Sequence, residues 1–249
     1  IDSNTLGVPD VSIHVEFRQL WDSPEYEHIR NLEHVSLCDT VSVYFPQLAK
    51  IDALECTDYA ALQALQAQFP QYDVQYEIVI ADQKLAYTAT ELTLQDPDLG
   101  QLEAVLPYLP KLQTVTLTGN LPANEEILKL KVAYPKVRFI WSFELCGVAV
   151  TSQDTIVDLS NIPMESTDAV EASLPYFNQL ERVIMCDCGI SNEEMDALGK
   201  RNPNIRFVWT VSIGPNVRLR TDATYLMPYQ YGTKLTDGQT KNLKYCVDL

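Results

Sequence analysis

The chain has 249 residues, 46% of them apolar, and carries 18 Lys+Arg against 34 Asp+Glu for a formal charge of -16. With 13 Tyr and 7 Phe it has the side chains to build a core, which excludes a disordered low-complexity chain. The negative charge repels phosphate backbones, so nucleic acid is not an expected partner, and no apolar run approaches the roughly 18 residues that cross a bilayer, so no membrane insertion is expected of this segment.

The charge is uneven. Residues 200–249 hold 8 basic and 3 acidic residues, against 10 and 31 in residues 1–199. Two readings stand: a solvated acidic surface with a basic tail, or two ends that meet different partners. The opening IDSNTLGVPD starts at Ile1 and has neither a charged nor an apolar leader region, which reads as a processed or excised piece.

In chain order, VSIHVEF alternates Val11, Ile13, Val15 and Phe17 as a strand, and PEYEHIRNL follows as a helix. Together they make residues 1–31 an N-terminal cap for an array over 32–249. Amphipathic stretches then recur: DYAALQALQAQF, LGQLEAVLPYL, NEEILKLKVAY, STDAVEASLPYF and SNEEMDALGKR. STDA and SNEE place Ser or Thr where an N-cap is wanted. Pro70, Pro135 and Pro203 end helical stretches and introduce the alternating runs YDVQYEIVI, VRFIWSFEL and IRFVWTVSI, each expected as one long strand with a buried face. Hairpins are expected in VIADQKLAYT, FELCGVAVTSQ and SIGPNVRLRT, with Gly147 and Gly214 at the turns of the last two.

These elements repeat. Tyr44, Tyr108, Tyr176 and Tyr245 each stand four residues before a leucine, at Leu48, Leu112, Leu180 and Leu249, with intervals of 64, 68 and 69. Tyr76, Trp141 and Trp209 superimpose at intervals of 65 and 68. Leu249 holds the place that precedes a strand in the other copies, so the array is expected to be truncated at its C-terminal end, with further repeats in the parent protein.

Within each block Leu180-x-x-Val183-x-Met185-x-x-Cys188-x-Ile190 fits L-x-x-L-x-L-x-x-N/C-x-L, and Leu112-x-x-Val115-x-Leu117-x-x-Asn120 fits to the Asn. Weaker copies begin at Leu32, Leu48 and Ala89 and near Asp154. On these residues the chain resembles the leucine-rich repeat family. That resemblance implies an α/β fold, a right-handed solenoid of parallel strands and return helices, here with inserted β-hairpins. The composite repeats, the V-W strand and the segment Arg220, Thr221, Asp222, Ala223, Thr224 look similar to uncharacterised secreted or cell-surface proteins of anaerobic gut bacteria within that family.

The chemistry-bearing residues have structural explanations. Cys56 and Cys188 take the inward place that Asn120 holds, whereas Cys186 is expected to point outward and to be the reactive thiol. His14, His28 and His34 match no ligand spacing, and Glu193 with Glu194 and Asp96 with Asp98 fall at helix starts, where carboxylates meet free amides. No nucleophile elbow, phosphate loop or dinucleotide fingerprint is present, so no catalytic residue, metal or cofactor is proposed. Tyr76, Trp141 and Trp209 recur on the buried parity and are expected in the core.

A curved sheet of stacked strands leaves one row of side chains per repeat on its concave face. Parity assigns that row to Asp52 and Leu54, Thr93 and Gln95, Thr116 and Thr118, Asp158 and Ser160, and Ile184 and Cys186. The segment with Tyr225, Tyr229 and Tyr231 is a second candidate patch, or else the cover of the last repeat. The expected function is a non-enzymatic binding or adhesion module for a protein or glycan, the alternative being a substrate-recognition arm of a larger glycan- or peptide-active hydrolase.

Overall fold

The computed structural model describes residues 50–52, 57–68, 70, 73–214, 217–226 and 237–249. The protein is mixed α/β, with small parallel and antiparallel sheets, and its chain divides into two compact units, Ile1–Val115 and Thr116–Leu249. The expected cap, residues 1–31, lies outside the described residues.

In the first unit, β1 (Lys50–Asp52) leads to α1 (Tyr59–Gln68), β2 (Asp73–Gln75), β3 (Glu77–Ile80), β4 (Gln83–Ala86), β5 (Glu91–Gln95) and α2 (Leu99–Val105). β1 and β2 pair in parallel with Ile51 opposite Val74, and β3 and β4 form an antiparallel hairpin. β6 (Thr114–Thr118) runs across the division between the units. The second unit continues with α3 (Asn124–Ala133), β7 (Arg138–Ile140), β8 (Ser142–Leu145), β9 (Val148–Thr151), β10 (Ile156–Asp158), α4 (Asp168–Ser173) and β11 (Arg182–Ile184). It closes with α5 (Asn192–Arg201), β12 (Arg206–Val208), β13 (Thr210–Gly214), β14 (Val217–Arg220) and α6 (Asp237–Thr240). Here β10, β11 and β12 form a parallel sheet in chain order, each joined to the next through a helix.

The helices form where the amphipathic stretches predict, and proline sets their ends. Pro107 and Pro175 lack the N–H that an α-helix needs, so α2 and α4 tighten into 3-10 turns at Leu106–Tyr108 and Leu174–Tyr176. α1, α3 and α5 stop two residues before Pro70, Pro135 and Pro203, because the residue preceding a proline is driven out of the helical region. Asp98 caps α2 by accepting from the Gly100 and Gln101 N–H groups, and Ser191 caps α5 by accepting from Glu194 N–H. Thr167 does not cap α4 with its side chain; it is buried, and its N–H donates to Glu194 Oε1 at 2.9 Å.

Each Pro-introduced run, expected as one strand, is two. The chain pairs in parallel over β2 or β12, breaks at one aromatic residue, and then enters an antiparallel hairpin; β7 is followed by the same break and hairpin. The breaks fall at Tyr76, Trp141 and Trp209. At the two tryptophans a polar side chain just past the far strand of the hairpin takes over the backbone. Ser152 Oγ accepts from Trp141 N–H at 3.1 Å while Ser152 N–H donates to Trp141 C=O at 2.9 Å, and Thr221 does the same for Trp209 at 3.1 and 2.9 Å. The alternation survives the break: Val74, Tyr76, Ile78 and Ile80 are all buried, as are Phe139, Trp141, Phe143 and Leu145, and Phe207, Trp209, Val211 and Ile213. The three aromatics are thus core residues.

Cys146 and Gly147, with φ of 51° and 83°, turn the β8–β9 hairpin, and Ala81 and Asp82, at 47° and 60°, turn β3–β4. Gly214 is the last residue of β13 and pairs with Val217 beyond a register shift; positions 215–216 lie outside the described residues.

Four of the five remaining positive-φ residues, all but Gly189, reveal a device that the consensus pattern left unmarked. Asp96, Gly119, Asn161 and Asp187, with φ of 50°, 81°, 64° and 61°, each lie two residues past an inward apolar residue, Leu94, Leu117, Leu159 or Met185. Asp, Asn and Gly are the residues that tolerate a left-handed backbone, and here they turn the chain out of each strand.

Candidate functional site

The residues predicted for the row lie on or beside these strands. On β5 Thr93 and Gln95 are exposed, alternating with buried Leu92 and Leu94. On β6 Thr118 is exposed and Thr116 half-buried. In the next copy Asp158 is exposed and Ser160 half-buried, and Ile184 on β11 is half-buried. Asp52 belongs to β1, and Leu54, Tyr229 and Tyr231 lie outside the described residues; Tyr225 is 70% exposed.

Cys186 departs from expectation. It is buried, not outward-facing. The parity argument requires a continuing strand, but β11 ends at Ile184, and Met185 and Cys186 are both covered as the chain turns at Asp187. The C-terminal hairpin supplies charge at this end: Arg218 pairs with Asp187, and Arg220 makes two hydrogen bonds to Asp222, at 2.9 and 2.8 Å. Cys188 does turn inward and donates to Leu159 C=O at 3.1 Å, with burial pushing its thiol up, whereas Asn120 at the corresponding place is exposed. Native-state alkylation followed by mass spectrometry is expected to modify neither Cys186 nor Cys188 ahead of half-buried Cys146; preferential labelling of Cys186 would contradict this placement.

The Asp158 carboxylate is held below its usual range by hydrogen bonds from the Ser160 hydroxyl and N–H, aided by the Arg220 guanidinium, so it is ionised at neutral pH. Glu193 and Glu194 sit in the first turn of α5, and Glu194 serves the Thr167 N–H.

Behind the row, equivalent residues hold equivalent partners. Trp141 Nε1–H donates to Asn124 Oδ1 and Trp209 Nε1–H to Asn192 Oδ1, both at 3.0 Å. Tyr176 donates to Glu125 at 3.0 Å and Tyr245 to Glu193 at 3.3 Å. Gln63 Nε2 donates to Pro107 C=O at 2.7 Å, and Lys131 Nζ to Pro175 C=O at 2.9 Å and to the next two carbonyls. Partial burial pushes the Lys131 ammonium down, and the three carbonyls it meets give it a structural task.

In the first copy Tyr87 takes the place of Ser152. Burial, and then the hydrogen bond it gives Asp73, push its phenol up to about 12. An unfolded tyrosine ionises near 10, so this group's contribution to stability is intact below that pH and is lost as pH rises from about 10 through 12. Tyrosinate absorbance is expected to show one tyrosine ionising at about 12 that ionises earlier in Asp73→Asn; an unchanged titration in that variant would contradict the assignment.

No family model matches the chain, and neither a curated protein nor a solved structure matches it. Among the described residues no group of three His, Cys, Asp or Glu side chains could hold a metal ion, and no helix is long and apolar enough to cross a membrane.

Proposed function

We propose that the chain is a non-enzymatic binding module: a leucine-rich-repeat-like right-handed solenoid, from a secreted or cell-surface bacterial protein, that takes a protein or glycan on the row of side chains between its inward apolar positions. One observation carries this reading. The same left-handed turn, at Asp96, Gly119, Asn161 and Asp187, closes four strands in the same phase. A turn repeated in phase gives the flanking side chains, Thr93 and Gln95 in the first unit and Thr116, Thr118, Asp158 and Ser160 in the second, equivalent places in their own copies. The chain-order parallel sheet β10–β11–β12, with a helix between successive strands, supports the solenoid part of the reading.

Glycan and extracellular-protein arrays probed with the labelled chain test it. Binding is expected to one ligand class and to be lost in Thr118→Arg and in Asp158→Arg, while both variants melt with the wild type. No ligand on either array, or binding indifferent to both substitutions, would overturn the reading.

A further inference from the structure

The two later copies share a fixed trio around the strand break. Asn124 and Asn192 accept from the indole N–H, and Ser152 and Thr221 accept from the backbone N–H of Trp141 and Trp209. In the first copy the three corresponding places are Tyr59, Tyr76 and Tyr87. Two positions on the adjoining strand change with them: Asp73 stands where Arg138 and Arg206 stand, and Gln75 where Ile140 and Val208 stand.

The three tyrosines cannot reproduce the trio's bonds, and they do not. Tyr76 sends its hydroxyl to Tyr108 C=O at 3.0 Å, Tyr59 Oη accepts from Val79 N–H at 3.0 Å, and Tyr87 donates to Asp73 Oδ1. The other Asp73 oxygen accepts from Gln75 Nε2 at 3.0 Å. The rings form one group: Tyr76 stacks on Tyr87 with centroids 4.9 Å apart, and Tyr59 lies 6.3 Å from Tyr76 and 5.6 Å from Tyr108. Only Tyr76 is buried. Tyr59, Tyr87 and Tyr108 are half-buried, as is Gln75, and Asp73 is exposed. What is a closed core contact in the later copies is therefore, in the first, a partly open group of rings edged by a carboxylate and an amide.

We propose that this group is a subsite for a neutral polysaccharide. Pyranose rings carry an apolar C–H face and a rim of hydroxyls. Half-open tyrosine rings meet the first at low entropic cost, and the planar Asp73 and Gln75 side chains meet the second. The Asp73 carboxylate repels uronic acids, which makes the ligand neutral. The inference rests on the binding-module reading and names the ligand class for it.

Affinity electrophoresis of the full chain through gels containing xylan, galactomannan or β-1,3-glucan, with polygalacturonate as the acidic comparison, tests it. Retardation is expected in at least one neutral gel and not in polygalacturonate. The variants Tyr87→Ser, Asp73→Arg and Gln75→Ile install the residues the other copies already use, so any one that melts with the wild type carries the test. They are expected to weaken retardation about tenfold, as loss of one ring or polar contact would. No retardation in any neutral gel, or undiminished retardation in the folded variants, would overturn the subsite. Undiminished retardation in these variants together with its loss in Thr118→Arg would overturn the subsite alone and leave the binding module standing.

Discussion

Replacing Trp141 with alanine is expected to destabilise the second compact unit by about 3–5 kcal/mol, the range for deleting a large buried aromatic. Trp141 is 1% exposed and lies against Phe143 and Tyr176, with ring centroids 6.0 and 6.3 Å away. Its removal opens a cavity between β7 and the β8–β9 hairpin, and it leaves the half-buried Asn124 Oδ1 without its indole donor. Urea unfolding followed by circular dichroism measures the loss. Trp141→Phe, which keeps most of the ring and gives up the N–H, should cost less than half as much. Equal losses for the two variants would mean that the hydrogen bond, not the packing, holds the aromatic.

The second large effect belongs to the residues that clasp the strand break. Ser152 is fully buried; its hydroxyl accepts from Trp141 N–H and donates to Phe139 C=O at 3.1 Å. Ser152→Ala leaves a buried backbone N–H with no acceptor, a cost of about 1–3 kcal/mol, while Phe139 C=O keeps its bond from Asn178 Nδ2 at 2.8 Å. Thr221→Val is nearly isosteric and is expected to cost a similar amount at Trp209, since Thr221 Oγ1 accepts from that N–H. Ser152→Thr should be tolerated far better, because the hydroxyl is retained. Unfolding curves of the alanine and valine variants that overlay the wild type would contradict the clasp.

Much of this was legible in the sequence, for a physical reason. Burial parity depends on side-chain alternation, and alternation is written directly in Phe139, Trp141, Phe143 and Leu145. The phase of the tyrosines before Leu112, Leu180 and Leu249 was legible too, because a repeated core needs the same side chain at the same place; Tyr176 and Tyr245 indeed reach equivalent glutamates. The strand break was not. Alternation continues through it, and only the exchange of a backbone partner for the hydroxyls of Ser152 and Thr221 marks it, a bond between residues more than ten positions apart. Cys186 was misplaced for a related reason: parity assumes that a strand continues, and Asp187 ends this one. A signal was present in the Asp, Gly, Asn and Asp found two residues past each inward apolar position, residues suited to a left-handed turn. The exposure of Thr93, Gln95 and Thr118 follows from alternation, but the Arg218–Asp187 ion pair and the Arg220 charge that acts on Asp158 come from a hairpin that the strand pattern alone does not bring near.

Deletion of one block tests the repeat most directly. Removing residues 113–180 joins Leu112 to Glu181, which hold the same phase, and takes out 68 residues. Removing the 34 residues 113–146, half a block, joins Leu112 to Gly147 and breaks that phase. If the blocks are structurally equivalent, the first deletion gives a chain with a cooperative thermal transition and a protected Trp209 amide by hydrogen exchange, and the second does not. An in-phase deletion that unfolds as completely as the other would contradict the equivalence.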